Sequence, residues 1–285
     1  MSYRELGYQV FNNVISDNCR ESAKNEINRI RNLFKQDKQL LSDYVVPLSE
    51  MSDYLSPLGD QQDIEEEPYL IGEPVELSST FAMLIINPDL WDIASAILGD
   101  DEVVYHFSNV TRKLANNDPS LSWHRDFPNQ YICPEHSDHF FRLLLPLEDI
   151  QPAHTCTRII ANSHTLSDER AIREHKKQPL DVNNHEQSIS LELKPGQAVA
   201  IHPKLIHGGQ VNRSPLDRNL MVIQFGLPTH HWLYHEEPSM LTGLNQTEIL
   251  EMLDTNINPL TRNLESSLDQ TGKSVTDSFK KASQQ

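Results

Sequence analysis

The strongest constraint on the fold comes from two histidine-containing stretches that lie far apart in the chain. The first reads Ser-Trp-His-Arg-Asp-Phe and carries a His-x-Asp motif at His124 and Asp126. On a strand, residues two apart point to the same face, so this imidazole and this carboxylate are expected to aim at one point. The second stretch, Leu-Ile-His-Gly-Gly, offers His207 as a third side chain of the same kind. We therefore expect a fold that brings these two stretches together.

Two imidazoles and one carboxylate on one face of a metal form the facial triad of non-haem Fe(II) oxygenases, which leaves coordination positions open. The pattern predicts a metal site at His124, Asp126 and His207. His202 competes with His207 as the third ligand, but His207 precedes two glycines that permit a cosubstrate to approach closely. The alternative is that these are surface histidines beside a solvated aspartate.

An arginine follows at a fixed distance from the second histidine. Arg218 comes eleven positions after His207 (218 − 207), and a guanidinium offers a planar fork that binds a carboxylate through two hydrogen bonds. Arg218 is therefore the expected anchor for the far carboxylate of a chelating keto acid. The alternative is a structural ion pair of Arg218 with Asp217 or Glu148.

With these residues identified, the chain resembles the phytanoyl-CoA dioxygenase family of Fe(II)/2-oxoglutarate oxygenases. The similarity runs from Gly7 to about Gly226. Two segments depart from the family pattern, because His154-Thr155 stands where the family has Asn-Gly, and Ala161-Asn162 stands where it has Pro-Gly. The segments that match, besides the histidine motifs and Arg218, are Gly7–Phe11, Val14–Asp17, Asn87–Leu90, Ile97–Gly99, Leu145–Asp149, Thr155–Arg158, Asn162–His164, Lys194–Val199 and Asn212–Ser214.

The resemblance implies an enzyme that binds Fe(II) at His124, Asp126 and His207 and takes 2-oxoglutarate and O2 as cosubstrates. It would oxidise a C–H bond of its substrate and release succinate and CO2. Asp126 favours hydroxylation, because related halogenases carry Gly or Ala there; desaturation, ring closure and dealkylation stay open. Thr157 is expected either to donate a hydroxyl to the cosubstrate beside Arg218 or to be a β-branched strand residue facing the core.

Hydrophobic periodicity predicts a mainly β chain with flanking helices. Apolar residues from Cys19 to Phe34 recur at helical spacing after an N-cap at Ser16 or Asp17, and a second helix covers Pro88 to Leu98. Many short strands with turn signals indicate a sandwich or a barrel. We expect a double-stranded β-helix, the jelly-roll architecture of cupins. The predicted strands are 8–15, 103–114, 140–147, 155–160, 188–193, 197–202 and 219–226, and a further polar helix spans 167–178.

The length of 285 residues suits one large β-rich domain or two small ones, and we expect one domain over residues 1–285. N-terminal bracing helices would occupy about 1–100, the β-helix core about 101–228, and a helical extension about 229–285. Four prolines and several acidic residues make the segment 46–79 irregular, either a lid over the site or a solvated insertion. The histidine-rich segment 230–235 is expected at the rim of the substrate pocket or in a surface loop.

Composition limits the binding partners and the cellular compartment that are expected for this protein. A net charge of -17 argues against nucleic acids, anionic membrane surfaces and coenzyme A thioesters. Cys19, Cys133 and Cys156 form no disulfide framework, and no apolar run approaches the roughly 18–20 residues that span a bilayer. We therefore expect a soluble cytoplasmic protein. It is expected to be a monomer or a homodimer, because the apolar stripe after residue 249 would dock either on the barrel or on a second copy of the chain.

The substrate has one sequence-based candidate anchor. Arg142 interrupts the run Phe-Phe-Arg-Leu-Leu-Leu, and a buried guanidinium requires a partner. That partner is either Glu148 or a carboxylate of a small polar metabolite, such as an amino acid or a natural-product intermediate. Two other functions stay open: an oxygenase that modifies a protein side chain, with the acidic segment 60–67 facing a basic peptide, and a barrel that binds a metal or ligand without turnover. Weaker candidates for the pocket wall are His106, Asn109, Lys113 and His139.

Overall fold

A computed structural model describes residues 3–51, 66–116, 120–129, 132–150, 156–175, 180, 188–235 and 239–254. The helices are α1 (Tyr3–Leu6), α2 (Asp17–Gln36), α3 (Pro74–Leu77), α4 (Ser79–Ile85), α5 (Pro88–Leu98), α6 (Asp168–His175) and α7 (Gln246–Asp254). The strands are β1 (Tyr8–Phe11), β2 (Val45–Pro47), β3 (Pro68–Gly72), β4 (Val104–Lys113), β5 (Leu121–His124), β6 (Ile132–Pro134), β7 (Phe140–Pro146), β8 (Thr157–Ile159), β9 (Ile189–Leu191), β10 (Ala198–Ile201), β11 (His207–Gly209), β12 (Arg218–Gly226) and β13 (Trp232–His235).

Two antiparallel sheets form the core. The major sheet has seven strands in the order β1-β10-β7-β12-β4-β3-β2, and the minor sheet has four in the order β5-β11-β8-β9. The sheets pack face to face, because Leu144 and Val222 of the major sheet share one apolar cluster with Ile159 and Leu191 of the minor sheet. This arrangement of short antiparallel strands, with residues 124 and 207 on neighbouring strands, agrees with the predicted jelly-roll core.

Strand β7 shows why its sequence reads as an almost continuous apolar run. Phe141, Leu143 and Leu145 belong to the cluster under the helices, whereas Leu144 faces the minor sheet. Both faces of this strand are therefore covered, and a strand covered on both faces shows no polar alternation. Arg142 lies on the same side as Leu144 and faces the space between the sheets.

Helices α2, α4 and α5 cover the outer face of the major sheet, as predicted for bracing helices. The Ser16 side chain accepts a hydrogen bond from the Cys19 N–H and caps α2, and Gly99 ends α5 with a φ of 72°. No single described helix has the length and hydropathy to cross a membrane, although α4 and α5 would meet both criteria together across a 45° bend.

The N-terminal region contributes more than bracing helices. Strand β1 pairs with β10, and β2 and β3 extend the other edge of the major sheet. The expectation that residues 46–79 are irregular is therefore wrong at both ends of that segment, while residues 52–65 lie outside the described residues. Pro47 ends β2 and Pro68 begins β3, and at strand ends a proline removes no central ladder hydrogen bond.

The C-terminal region begins by docking on the barrel. Ile249 on α7 is fully buried and joins the core cluster under the helices. The start of the apolar stripe therefore docks on the barrel, one of the two sites expected for it. Strand β13, within the histidine-rich segment, pairs with β6. The remainder of the stripe, after residue 254, lies outside the described residues.

A buried ionic network ties α2 to the major sheet. Glu67 accepts hydrogen bonds from Arg31 Nε at 2.6 Å and Nη2 at 2.8 Å, and it pairs with Lys35. Arg112, whose Nη1 lies 3.7 Å from Glu67, also pairs with Asp217 at 3.1 Å. Burial alone would raise the pKa of Glu67, but the hydrogen bonds from Arg31 and Lys35 lower it to about 2.

Replacing Glu67 with glutamine is expected to lower the free energy of unfolding by about 2 kcal/mol, the scale of hydrogen bonds to a charged group. The folded pKa of about 2 lies below the ~4.3 of an unfolded glutamate. The stabilisation from Glu67 is therefore complete above about pH 4.3 and is lost as the pH falls towards 2. Denaturant unfolding at several pH values measures both effects.

Glu66→Gln is the matched control, because the Glu66 side chain is 61% exposed and its ion pair with Lys38 lies at the surface. Exposed ion pairs contribute little, so this variant should unfold like the wild type at every pH. A Glu67→Gln variant as stable as the Glu66→Gln variant at neutral pH would contradict the prediction.

Candidate metal centre

Strand pairing brings the two distant histidines together. Strands β5 and β11 are antiparallel neighbours, and His124 lies opposite His207 in their register. The two ring centroids are 4.2 Å apart. His207 is buried and His124 is half-buried, so the pair lines the space between the two sheets.

Asp126 reaches the same point from just beyond the end of β5. The strand ends at His124, and the Asp126 N–H donates to the carbonyl of Pro203 at 2.9 Å. The same-face rule for a strand therefore does not by itself explain the convergence. The turn after β5 aims the carboxylate, and its backbone bond to the segment before β11 fixes that turn.

The three side chains form a group with the shape of a ligand set. His124 Nε2 lies 3.7 Å from Asp126 Oδ1, and His207 Nε2 lies 3.7 Å from Asp126 Oδ2. One ligand atom from each residue lies within 4.8 Å of the others, and among the described residues this is the group that could hold a metal ion. Asp126 Oδ2 is buried without a hydrogen-bond partner. A buried oxygen of this kind is costly unless something binds it, so the residues fit a cation.

Backbone carbonyls fix the tautomer of both histidines. His124 Nδ1 lies 2.8 Å from the carbonyl of Ser122, and His207 Nδ1 lies 3.0 Å from the carbonyl of Leu205. Since a carbonyl only accepts, each Nδ1 carries a proton, and Nε2 is the ring nitrogen left to bind a metal. Metal-binding histidines are oriented by this kind of hydrogen bond from the other ring nitrogen.

The charges in the site favour metal binding at neutral pH. Burial, with the neighbouring His207 ring, lowers the pKa of His124 to about 4, so that imidazole is neutral. Burial would raise the pKa of Asp126, but Arg142 and then the two histidines outweigh it and lower that pKa. The site therefore presents a neutral imidazole and an ionised carboxylate, the protonation states that a metal requires.

Arg142 points into this site and binds Asp126. Its Nη1 donates to Asp126 Oδ1 at 2.7 Å, and its Cζ lies 5.4 Å from the centroid of the Phe107 ring. The two oxygens of Glu148, the protein partner that the sequence suggested, accept hydrogen bonds from Asn219 at 2.6 and 2.8 Å. Arg142 is thus an inward-facing residue, but the partner that it contacts is the candidate ligand Asp126.

Arg218 lies near the far end of the same space, at the start of β12. Its Nη2 is 3.5 Å from Thr157 Oγ1, and Lys113 lies opposite it in the register of β4 and β12. The structural alternatives for Arg218 have other partners, because Asp217 accepts from Arg112 at 3.1 Å and from the Ala115 N–H at 2.9 Å. Glu148 hydrogen-bonds Asn219, as described above; burial raises the pKa of Glu148, and the positive charge of Arg218 is one of the smaller effects that oppose this rise. Arg218, Thr157 and Lys113 therefore form a polar end of the space between the sheets.

The competing histidine faces away from the site. His202 Nε2 lies 3.1 Å from Asp138 Oδ1, and its Nδ1 accepts from the Lys204 N–H at 3.0 Å. Its ring stacks on Tyr3 with centroids 5.9 Å apart. Both ring nitrogens are therefore engaged by residues outside the metal site.

Sequence reasoning did not identify Gln224 and Asn129. Gln224 is fully buried and lies opposite Arg142 in the register of β7 and β12. Its side chain binds His106 Nδ1 at 3.0 Å, and Asn129 Nδ2 lies 3.4 Å from its Oε1. Its position on the inward face of an otherwise apolar strand was an available signal, the same one that drew attention to Arg142.

Of the two segments that depart from the family pattern, the structure describes one. Asn162 stands where the family has glycine, and its φ is 63°, a left-handed conformation that asparagine adopts more readily than most residues. His154 and Thr155 lie outside the described residues. After His207, Gly209 is the glycine beside the polar end, since a Cβ there would lie 3.2 Å from Lys113 Nζ as well as 3.2 Å from Leu121 Cβ. A Cβ at Gly208 would instead meet the Leu121 carbonyl and the Trp123 ring.

Comparison with known proteins agrees with the geometry. The model of the phytanoyl-CoA dioxygenase family matches residues 3–220, and no curated protein matches the chain. Among solved structures, AviO1 from Streptomyces viridochromogenes Tue57 is 20% identical, with 80% of this chain and 92% of that chain covered and a TM-score of 0.60. The non-haem alpha ketoglutarate dependent epimerase SnoN from nogalamycin biosynthesis is 14% identical, with 85% and 88% covered and a TM-score of 0.61.

A third solved structure, EctD from S. alaskensis with bound Fe, is 18% identical to this chain. The match covers 84% of each chain, and the TM-score is 0.60. At these identities the likenesses show that the fold is shared. The predicted jelly-roll core with flanking helices is confirmed.

Proposed function

The chain belongs to the phytanoyl-CoA dioxygenase family of 2-oxoglutarate-dependent non-haem iron oxygenases, and from this we propose that it hydroxylates a C–H bond of a small polar metabolite. Fe(II) and 2-oxoglutarate are the cofactor and cosubstrate of the class, with O2 as the oxidant. The observation that carries the proposal is the convergence of His124, Asp126 and His207 within 4.8 Å. Arg218 lies near the other end of the same space.

Each residue has a distinct part in the proposed site. His124 and His207 would bind the iron through Nε2, since Nδ1 of each ring is held by a backbone carbonyl. Asp126 would be the third ligand. The iron supplies the oxidation chemistry when bound, while Arg218 and Thr157 would bind the far carboxylate of 2-oxoglutarate.

The proposed substrate is a small polar metabolite, in the class of amino acids and natural-product intermediates. Two solved structures of similar fold contain small molecules by description: 5-hydroxyectoine with EctD and nogalamycin RO with SnoN. The net charge of -17 disfavours a coenzyme A ester. Because Arg142 binds Asp126, a carboxylate on the substrate no longer has its expected cation, and the proposal does not require one.

The alternative of a protein substrate relied on the acidic segment 60–67, of which residues 60–65 lie outside the described residues. Glu67 is buried in the network with Arg31, Lys35 and Arg112, and Glu66 pairs with Lys38. These carboxylates serve the fold. We also propose a reducing cytoplasmic location, in which the free thiols of Cys19, Cys133 and Cys156 persist.

Incubation with Fe(II), 2-oxoglutarate and O2 tests the proposal. We expect slow succinate formation by the protein alone and faster formation when the true substrate is present in a metabolite panel, with a product heavier by one oxygen atom. The Asp126→Ala variant is the control for free iron, because it removes the carboxylate ligand. Succinate formation equal in the wild type and this variant would contradict the proposal.

A further inference from the structure

Strand register places Arg142 in the space between the sheets. It lies on β7 opposite Ile201 of β10 on one side and Gln224 of β12 on the other. Its sequence neighbours Phe141 and Leu143 are fully buried in the core under the helices. Since successive side chains alternate between faces, the guanidinium extends towards the minor sheet, where only 13% of the side chain is exposed.

Asp126 and Phe107 both contact the guanidinium. Nη1 donates to Asp126 Oδ1 at 2.7 Å, and the Phe107 ring faces Cζ at 5.4 Å, within the range of a cation–π contact. The consequence for Asp126 is that its two oxygens differ. Oδ1 is bound by Arg142, whereas Oδ2, which faces His207 Nε2 at 3.7 Å, is buried without a hydrogen-bond partner.

We propose that Arg142 is a positioning residue that holds Asp126 Oδ1 and thereby presents Oδ2 as the single oxygen for the metal. The inference rests on the proposed function and deepens it. A carboxylate rotates easily about its terminal torsion and can bind a metal through one oxygen or both. Binding through both would occupy a position that the cosubstrate needs. Outer-shell hydrogen bonds of this kind orient ligating carboxylates.

This role differs from that of a substrate anchor in what it predicts. A substrate anchor affects the KM for the substrate and leaves metal binding unchanged. A positioning residue for Asp126 affects metal binding even when substrate and cosubstrate are absent. The test is therefore made on the full chain with Co(II) alone, because Co(II) does not turn over and its visible spectrum reports the coordination geometry.

Calorimetric titration with Co(II) should show that Arg142→Met weakens binding by about 10–100-fold, the range for loss of an outer-shell partner. The visible spectrum of bound Co(II) should also change. Arg142→Lys keeps the charge without the planar fork and should recover part of the affinity. Arg125→Met is the matched control: Arg125 precedes Asp126, but it contacts the carbonyl of Lys204 and Glu174, so Co(II) binding should match the wild type.

The result that would overturn the inference is an Arg142→Met protein with the Co(II) affinity and spectrum of the wild type, whether or not its substrate KM rises. If Arg142→Met does not fold, Phe107→Leu replaces it, because this change loosens the guanidinium and keeps the ion pair. It should weaken Co(II) binding by a smaller factor, and unchanged binding overturns the inference. A wild-type protein that binds no Co(II) overturns the proposed function as well.

Discussion

Replacement of His207 with alanine is expected to abolish Fe(II)-dependent succinate formation while the protein stays folded. His207 supplies one of three ligand atoms within 4.8 Å, and it lies opposite His124 on the neighbouring strand. Loss of an outer-shell partner alone costs 10–100-fold in metal affinity or activity, so loss of a ligand should exceed about 100-fold. Succinate release, Co(II) titration and circular dichroism measure turnover, metal binding and fold.

His202→Ala is the matched control for this prediction. His202 is also a buried histidine near the end of a strand, but it contacts Asp138 and Lys204 and not the metal site. It should lose some stability and keep its turnover. The reverse pattern, with activity retained without His207 and lost without His202, would move the third ligand to His202 and refute the proposed site.

Replacement of Arg218 with alanine is expected to raise the concentration of 2-oxoglutarate required for half-maximal turnover by at least about 30-fold. Truncating one partner of a buried charge-assisted contact costs about 2–5 kcal/mol, and each 1.4 kcal/mol is tenfold. Arg218 is 5% exposed, so solvent screening does not weaken the contact. Titration of 2-oxoglutarate against succinate or CO2 release gives the apparent KM.

The affinity for Co(II) separates a cosubstrate role of Arg218 from a structural one. It should change little in Arg218→Ala, because Arg218 is not a ligand. Arg213→Ala is the control, since Arg213 is exposed on the segment leading to the same strand and should leave both measurements unchanged. An Arg218→Ala variant with wild-type 2-oxoglutarate dependence would show that the residue serves only the fold.

The sequence predicted helices α2, α5, α6 and α7 and most strands of the core because their periodicity reflects local burial, but it did not predict the shorter helices α1, α3 and α4. In helix α2 the buried residues recur at helical spacing, and strand β12 is buried along its whole length, so the apolar pattern of each segment indicates its structure. The partner of Arg142 was not predictable in this way. Asp126 lies beyond the end of β5, in a turn that the carbonyl of Pro203 fixes. That bond joins segments distant in the chain, and no local pattern encodes it.

The edge strands show a different reason for a missed prediction. Four prolines in 46–79 suggested irregular structure, because proline lacks a donor for the ladder. Pro47 and Pro68 occupy strand ends, where the missing donor has little cost. Whether a proline interrupts a strand or bounds it depends on where the neighbouring strand lies. For Pro68 that neighbour is β2, where Pro47 lies opposite it more than twenty positions earlier in the sequence (68 − 47).

The pairing of β1 with β10 determines when this chain can fold during its synthesis. Tyr8 lies opposite Ile201, so the first strand has no partner on its β10 side until the ribosome has made most of the chain. Contacts of such long sequence separation form slowly because the loop between them must close first. Unpaired strand edges expose emerging chains to aggregation. The pairing of β1 is therefore expected to form late in folding, and until β10 is in place the edge of β1 stays open to other chains.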